Sequence, residues 1–342
     1  MKVLFIGFPQ ILHPWYDHFL EAVDGRFEVR LFNPEESKQE QMEGVEVVVE
    51  QAGGLNNHEL VDIAADRGVK FWQFIGTGLD HVDTDYIRNR GLLMANTPGQ
   101  FSAIALAEHA LFLMLYILKN FPLSQKIMHQ GLVYEPMVDE LAGRTLGLIG
   151  FGASARALAS RARALEMRVM AIDAVPVSTN TLHEHGIDFF GPPQQMDRIW
   201  TEADVVSIHL PLTDQTRHLI DRRTLDLMKP TAVLINVARG AIIEETALIE
   251  VLKNNQIKGA GLDVVSNEPI DLNNPLLTLS NVVVTNHIAG VTSGTSRRRG
   301  QAAAENVMRV SRGESPLYVV ECDSSPDESA SCPSTSDIES NT

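Results

Sequence analysis

Short apolar runs alternate with longer amphipathic stretches along the first hundred residues of the chain. The apolar runs are rich in valine, isoleucine, leucine and phenylalanine, and they occur at residues 3–7, 27–32, 45–49, 69–75 and 92–95. Helix-like stretches lie between them, for example at residues 15–23, 58–67 and 84–88. Because strands that alternate with helices pair in parallel, this pattern predicts a parallel sheet with helices on its faces.

A second series of the same kind runs from residue 144 to residue 290. It follows a turn at Pro98 and an apolar helix at residues 102–119, which we expect to be buried on all sides. One more helix is expected at residues 293–312. We therefore expect one domain of residues 1–98 together with 291–320, and a second domain of residues 99–290 inserted into it. Residues 321–342 are rich in Ser, Asp and Glu and predict a disordered acidic tail.

A glycine-rich turn opens the second series. A strand at residues 145–150 leads into Gly150-Phe-Gly152-Ala-Ser-Ala155, a helix is expected at residues 156–165, and a strand at 168–172 ends before Asp173. This is the dinucleotide-binding fingerprint with alanine in the third glycine position, in which the backbone approaches a pyrophosphate at a helix N-terminus. Asp173 stands where an acid meets the ribose hydroxyls, and no arginine follows it at residues 174–178. The sequence therefore predicts NAD rather than NADP.

Three further motifs follow apolar strands. They are Asn236-Val-Ala-Arg-Gly240, Asp263-Val-Val-Ser-Asn-Glu-Pro269 and Asn286-His-Ile-Ala-Gly290. Since the carboxyl ends of parallel strands form the ligand-binding edge of such sheets, we expect Arg239, Glu268 and His287 to meet there. A guanidinium binds a carboxylate through two bonds, and a histidine beside a carboxylate exchanges a proton near neutral pH. The set predicts a site that holds a carboxylate substrate, polarises its carbonyl group and moves one proton.

Composition narrows the classes of partner. The 342 residues carry a net charge of −16, which argues against a nucleic-acid or anionic-membrane partner, since either requires a basic face. Both cysteines, Cys322 and Cys332, lie in the expected tail, so we expect no disulfide in the folded body and a cytoplasmic location. His183-Glu-His185 matches no zinc-binding spacing, and we expect no metal.

Taken together, the motifs resemble those of the D-isomer-specific 2-hydroxyacid dehydrogenases over residues 1 to about 320. The matching segments, in chain order, are Gly76-Thr-Gly-Leu-Asp-His-Val-Asp83, Asn96-Thr-Pro-Gly99, Ala107-Glu-His109, Gly150-Phe-Gly152, Ile208-His-Leu-Pro211, Asn236-Val-Ala-Arg-Gly240, Gly261-Leu-Asp263 with Asn267-Glu-Pro269, and His287-Ile-Ala-Gly290. The resemblance implies an α/β fold of two doubly wound parallel-sheet domains, flavodoxin-like and Rossmann, with a cleft between them. It also implies an NAD-dependent oxidoreductase and a homodimer joined through the nucleotide domains.

The resemblance implies roles for single residues. Arg239 is expected to bind the carboxylate and carbonyl oxygen of the substrate, His287 to be the acid/base, and Glu268 to pair with His287. Backbone amides around Gly76 and Gly78 are expected to meet the substrate carboxylate, and Asp263 to hold the nicotinamide carboxamide. Including Asp263, the residues expected at the cofactor are Thr77, Gly150, Gly152, Ala153, Ser154, Asp173, Leu210, Val237, Ala238, Asp263 and Gly290.

The implied reaction interconverts a small D-2-hydroxy acid and its 2-keto acid by hydride transfer, and reduction is the expected direction. Relatives that act on phosphoglycerate place an arginine for the phosphate in the loop that corresponds to residues 50–54, where this chain has none. A glyoxylate- or hydroxypyruvate-type reductase is therefore favoured. Two alternatives stay open. One is a phosphoglycerate dehydrogenase-type enzyme, and the other is an NAD(H)-sensing corepressor-like interaction protein, a function that the acidic Ser-rich tail would suit.

Overall fold

The computed structural model describes residues 1–51 and 58–321. The chain divides into two compact units, one of Met1–Pro98 with Arg299–Thr342 and one of Gly99–Arg298. Each unit has its own parallel sheet, which confirms the α/β fold predicted from the alternation of strands and helices. Residues 52–54 of the loop discussed above, and residues 322–342 of the expected tail, lie outside the described residues.

The first unit is built on a five-stranded sheet in the order β2-β1-β3-β4-β5, and every pair of neighbours is parallel. The strands are β1 Lys2–Ile6, β2 Glu28–Leu31, β3 Val45–Glu50, β4 Phe71–Phe74 and β5 Leu93–Ala95, and the helices are α1 Leu12–Val23, α2 Lys38–Gln41, α3 His58–Asp66 and α4 Thr84–Asn89. Val3 and Phe5 pack into one hydrophobic cluster, and Leu4 and Ile6 pack into another. Because both faces of the sheet are covered, β1 is continuously apolar rather than alternating.

The second unit is built on a seven-stranded sheet in the order β12-β11-β10-β9-β6-β7-β8, again with parallel neighbours throughout. The strands are β6 Thr145–Ile149, β7 Arg168–Ile172, β8 Phe189–Gly191, β9 Val205–Ile208, β10 Val233–Asn236, β11 Gly259–Leu262 and β12 Val282–Val284, and the helices are α5 Ala103–Leu118, α6 Phe121–Met128, α7 Ala153–Ala164, α8 Thr179–Glu184, α9 Met196–Glu202, α10 Arg222–Asp226 and α11 Glu245–Lys253. The strand order reverses at β6, which places a ligand-binding position at the carboxyl ends of β6 and its neighbours.

The prediction that the helix at residues 102–119 is buried on all sides was wrong. One face of α5 packs into the core through residues such as Ala110, Leu113 and Met114. The opposite face exposes Ile104 and Phe112, whose exposed fractions are 45% and 46%. The helix is therefore apolar on a surface that the single chain leaves uncovered.

The last helix, α12 Ser293–Ser311, contributes to both units. Arg298 Nε donates to the carbonyl oxygen of Phe101 at 2.8 Å within the second unit. Ala303 and Val307 belong to a hydrophobic cluster of the first unit. The second crossing of the chain thus lies inside α12, after Arg298, and not after residue 290 as expected, because the sequence pattern marked the start of the helix rather than the point at which its contacts change.

In residues 1–51 and 58–321, no single helix is long and apolar enough to cross a membrane; α5 and α6 reach that length and apolarity only as a pair bent by 50°. The same residues contain no group of three or more His, Cys, Asp or Glu side chains that could hold a metal ion.

Candidate active site

The turn between β6 and α7 leaves room for a phosphate group at a helix N-terminus. Gly150 has a φ of +88°, and a Cβ there would lie 2.7 Å from the carbonyl oxygen of His209, so only glycine fits. Gly152 is the N-cap of α7, and a Cβ on it would meet nothing within 4 Å. The helix containing Ala153 and Ser154 therefore begins at a position that faces open space, which fits the dinucleotide-binding fingerprint. The helix begins three residues earlier than predicted because the extended backbone of Gly152 leads directly into it.

Asp173 follows β7 and faces the same turn. Its Oδ2 accepts a hydrogen bond from the Phe151 amide at 2.6 Å, and its Oδ1 accepts one from the Val175 amide at 2.8 Å. These bonds fix the carboxylate at the end of the strand. Each oxygen keeps a second lone pair, which is what ribose hydroxyl donors require.

His209 supports this region rather than titrating near neutral pH. Its two ring nitrogens lie 2.9 Å from Ser154 Oγ and 3.0 Å from Ser207 Oγ. Burial lowers the pKa of His209 to about 3, so the ring is neutral at physiological pH. His209 thus holds Ser154 in place, and the neighbouring Leu210 packs partly buried against the core.

Arg239 is presented by a turn that Asn236 holds at the end of β10. The buried side chain of Asn236 donates from Nδ2 to the carbonyl oxygen of Arg239 at 2.9 Å and accepts from the Ala238 amide at 3.0 Å. Gly240 then packs against the chain after β11, where a Cβ would lie only 1.9 Å from the carbonyl carbon of Val265. The fold therefore explains both ends of the Asn-Val-Ala-Arg-Gly motif, because Asn236 holds the turn and only glycine fits at residue 240. Between them, the Arg239 side chain is half-buried.

His287 and Glu268 form a hydrogen-bonded pair. His287 Nδ1 lies 2.7 Å from Glu268 Oε2, and the other carboxylate oxygen accepts from the Val265 amide at 3.2 Å. The Glu268 carboxylate raises the pKa of His287 above its ordinary value, against the opposing effects of burial and of the Arg239 charge. Burial alone would raise the pKa of Glu268, but its bonds to His287 and Val265 and the charge of Arg239 bring that pKa below its ordinary value. Arg239, Glu268 and His287 are therefore brought together, as the three motifs predicted.

Asp263 lies beneath the turn that carries His287, and its carboxylate is almost completely buried. Oδ1 accepts from the Ile288 amide at 2.9 Å and Oδ2 accepts from the Ala289 amide at 2.8 Å. Burial alone would raise the pKa of this carboxyl group, but the hydrogen bonds to it have a larger effect in the opposite direction. The net pKa is therefore below its ordinary value, and the group is ionised. This supporting role was missed by the sequence reasoning, which assigned Asp263 only to the cofactor.

The remaining cofactor candidates of the second unit lie close to these turns. Val237 and Ala238 belong to the turn before Arg239, and Gly290 follows the turn after β12, where an added Cβ would lie 3.6 Å from Leu106 Cδ1. Their contact with the cofactor stays a prediction.

Gly76, Thr77 and Gly78 follow β4 in the first unit. The Gly76 carbonyl oxygen accepts from the Thr97 amide at 3.1 Å, and Thr77 Oγ1 accepts from Arg299 at 2.7 Å. Arg299 was not among the candidate site residues. Its contact joins residues 222 positions apart, so no local pattern could have revealed it.

Glu50 is the first residue of the loop in which phosphoglycerate-acting relatives place an arginine. It is the last residue of β3, only 3% exposed, and its carboxylate accepts from Trp72 Nε1 at 2.9 Å. The Glu50 carboxylate therefore points into the core of the first unit.

Comparison with known proteins gives consistent matches. Residues 111–289 match the family model of the D-isomer specific 2-hydroxyacid dehydrogenase NAD binding domain. A glyoxylate reductase of Korarchaeum cryptofilum is 34% identical over 249 residues, covering 71% of this chain and 73% of the relative. A D-3-phosphoglycerate dehydrogenase of Methanocaldococcus jannaschii is 32% identical over 319 residues; the alignment covers 93% of this chain but only 59% of the relative's length.

A solved structure supports the same grouping. The NAD-complexed D-isomer specific 2-hydroxyacid dehydrogenase of Lactobacillus delbrueckii ssp. bulgaricus has a TM-score of 0.78 and 25% identity, covering 94% of this chain and all of that chain.

Proposed function

The chain belongs to the D-isomer-specific 2-hydroxyacid dehydrogenases, and we propose that it reduces a small 2-keto acid to the D-2-hydroxy acid with His287 as the proton donor. The family and its NAD-binding domain make the protein an NAD-dependent oxidoreductase. The observation that carries the proposal is the 2.7 Å pair of His287 Nδ1 and Glu268 Oε2 next to Arg239.

The pair supports Nε2 of His287 as the nitrogen that carries the transferred proton. Nδ1 is occupied by Glu268, and Nε2 makes no hydrogen bond to any described residue. Nε2 is therefore the atom that donates to the alkoxide oxygen as reduction proceeds and accepts from the hydroxyl group in the reverse direction. Because Glu268 favours the protonated imidazole, it favours the form that reduction requires.

Arg239 is proposed to bind the substrate carboxylate and to polarise the neighbouring carbonyl group. Its guanidinium can form two parallel bonds to a carboxylate, which fixes the direction of the carbonyl relative to His287. Bound NADH supplies the hydride, and the protein's contribution is placement and proton transfer.

The two units take different roles in this proposal. Residues 99–298 form the NAD-binding domain, with Ala153, Ser154 and Asp173 at the nucleotide and Asp263 at the nicotinamide carboxamide. The carboxylate of Asp263 supports this last role through Oδ2, which accepts only from Ala289 among the described residues and so keeps a lone pair. Residues 1–98 with 299–320 form the substrate domain, where the backbone at Gly76 and Gly78 meets the substrate carboxylate.

For the substrate we propose an unphosphorylated keto acid such as glyoxylate or hydroxypyruvate. The 34% sequence identity to a glyoxylate reductase supports this choice of substrate. The net charge of −16 supports it as well, because it disfavours a substrate with two further negative charges. A phosphoglycerate-type activity is the second candidate, because Arg299 lies beside Thr77 and Glu50 is turned into the core.

Steady-state NADH oxidation with glyoxylate, hydroxypyruvate, pyruvate and 3-phosphohydroxypyruvate separates the two candidates. We expect the highest kcat/KM for one of the unphosphorylated acids. A clear preference for 3-phosphohydroxypyruvate would favour the second candidate, and the absence of turnover with every acid would contradict the proposed function.

We further propose a homodimer joined through the nucleotide domain. Large apolar side chains of the second unit are exposed along one stretch of sequence, and they include Phe121, Met128, Val133, Tyr134 and Met137, the last two almost completely exposed. Apolar surface of this kind marks an interaction site. Analytical ultracentrifugation should give a dimer that Val133→Asp with Met137→Asp dissociates, whereas Leu272→Asp, at an exposed position elsewhere in the sequence, should leave it intact. A monomeric wild type would contradict this.

The absence of cysteine from residues 1–321 supports a cytoplasmic location, and the negative charge supports the absence of a nucleic-acid partner.

A further inference from the structure

The backbone of His287 adopts a conformation that its surroundings must hold. Its φ is +57°, in the left-handed region that residues other than glycine rarely occupy. Such a conformation persists where neighbouring contacts fix it, and it occurs often in functional sites. What holds the turn at residue 287 therefore also sets the direction of its imidazole.

Asp263 provides most of that support. Its carbonyl oxygen accepts from the His287 amide at 2.8 Å, and its carboxylate accepts from the next two amides, those of Ile288 and Ala289. Three consecutive N–H groups of the turn are thus bound to one residue at the end of β11. Any movement of the Asp263 carboxylate moves the turn with it.

Two side chains outside the proposed catalytic set fix this carboxylate. Thr285 Oγ1 donates to Asp263 Oδ1 at 2.6 Å. His109 Nε2, on α5, lies 2.9 Å from Thr285 Oγ1 and 3.3 Å from Asp263 Oδ1. The ionised carboxylate has no proton to give, so the single hydroxyl proton of Thr285 is directed to it. Thr285 Oγ1 must then accept from His109, which requires a proton on Nε2 of His109.

We propose that Thr285 and His109 are positioning residues for proton transfer at His287. The bonds run in one direction, from His109 Nε2–H to Thr285, from the Thr285 hydroxyl to Asp263, and from the amides of residues 288 and 289 to the same carboxylate. They connect α5, the end of β12 and the end of β11 to the turn that carries the acid/base. The inference rests on the proposed function, because it assumes that His287 carries the proton.

The geometry predicts what the loss of one hydroxyl group does. Thr285→Val keeps the side-chain shape but leaves Asp263 Oδ1 without its shortest hydrogen bond, so the carboxylate and the turn relax. Since a displacement of about 1 Å at a reacting group can reduce a rate about 100-fold, we expect kcat to fall about 10- to 100-fold. We expect the dissociation constant for NADH, measured by fluorescence, to change much less than kcat, because Asp263 is only one of the residues proposed to contact the cofactor. The solvent deuterium isotope effect on kcat should increase, because the proton step becomes slower relative to the others.

Conservative variants separate positioning from a general loss of folding. Thr285→Ser keeps the hydroxyl group and should restore most of kcat. His109→Gln keeps a donor near the place of Nε2 and should be more active than His109→Leu. Thr201→Val removes a hydroxyl that bonds only within α9, and it should leave kcat unchanged. A Thr285→Val enzyme with wild-type kcat, or a Thr285→Ser enzyme as slow as Thr285→Val, would overturn the inference.

The same series distinguishes failure of the inference from failure of the proposed function. If the wild type reduces a keto acid and His287→Ala does not, the proposed function stands whatever Thr285→Val does. If His287→Ala retains activity, the proposed function fails first, and the turn that Thr285 supports has no role in proton transfer.

Discussion

Replacing Gly240 by alanine should separate the segments that carry Arg239 and Glu268. A Cβ at residue 240 would lie 1.9 Å from the carbonyl carbon of Val265, 2.0 Å from its oxygen and 2.5 Å from the amide nitrogen of Ser266. All three atoms belong to backbone, so no side chain can rotate away. Gly240 is also buried, and the clash can be relieved only by movement of one chain segment.

The size of that movement follows from the contact distances. Cβ atoms in proteins essentially never approach closer than 3.0 Å, so the two segments must separate by about 1 Å. Overpacking of this kind costs about 1–3 kcal/mol of the free energy of unfolding. A shift of about 1 Å between groups that act on one substrate reduces the rate about 100-fold. We therefore expect a lower Tm and a kcat/KM for the keto acid about 100-fold below wild type.

Gly152→Ala is the matched control. Its Cβ would meet nothing within 4 Å, and its φ of −74° is open to alanine. This variant should keep the wild-type Tm but raise the KM for NADH, because the methyl group takes space that a phosphate would need. Thermal melts and steady-state kinetics on both variants test the reasoning. A Gly240→Ala enzyme with wild-type Tm and kcat/KM would refute it.

Two other substitutions each remove one carboxylate and test the role of its charge. Glu268→Gln removes the carboxylate that raises the pKa of His287, so that pKa should fall. Because reduction needs the protonated ring, activity is lost as pH rises through this pKa, and the loss should come at lower pH than in the wild type. A pH–rate profile whose alkaline limb stays in place or moves to higher pH would contradict the pairing. Asp173→Ser removes the charge that repels a 2′-phosphate, so the ratio of kcat/KM for NADH to kcat/KM for NADPH should fall. A wild type that uses both cofactors equally well would show that Asp173 does not select NADH over NADPH.

The sequence predicted the parts of the site that depend on strand ends. Arg239 follows β10, and Glu268 and His287 follow β11 and β12, so parallel pairing was enough to bring their segments to one edge of the sheet. The motif resemblance added the pairing of His287 with Glu268. Gly150 was predictable for a similar reason, because a tight turn before a helix requires a positive φ.

The parts that depend on packing between distant segments could not be predicted. His109 and Thr285 are 176 positions apart, and only the position of α5 in the folded unit brings them together. His109 was noted only as part of the Ala107-Glu-His109 segment that carries the family resemblance, without a role of its own. The left-handed backbone of His287 was equally hidden, since the modest enrichment of histidine in that region does not single out one of eleven histidines. The uncovered face of α5 was missed because an apolar helix has the same sequence pattern whether or not its own chain covers every face.

The measurement that tests the central proposal most directly is keto-acid turnover by His287→Ala, with NADH binding measured on the same protein. We expect kcat to fall about 10²- to 10⁴-fold, the usual contribution of general acid–base catalysis, while the affinity for NADH stays near wild type because the glycine-rich turn and Asp173 are untouched. A variant that binds NADH normally and still reduces the keto acid at the wild-type rate would show that His287 does not carry the proton.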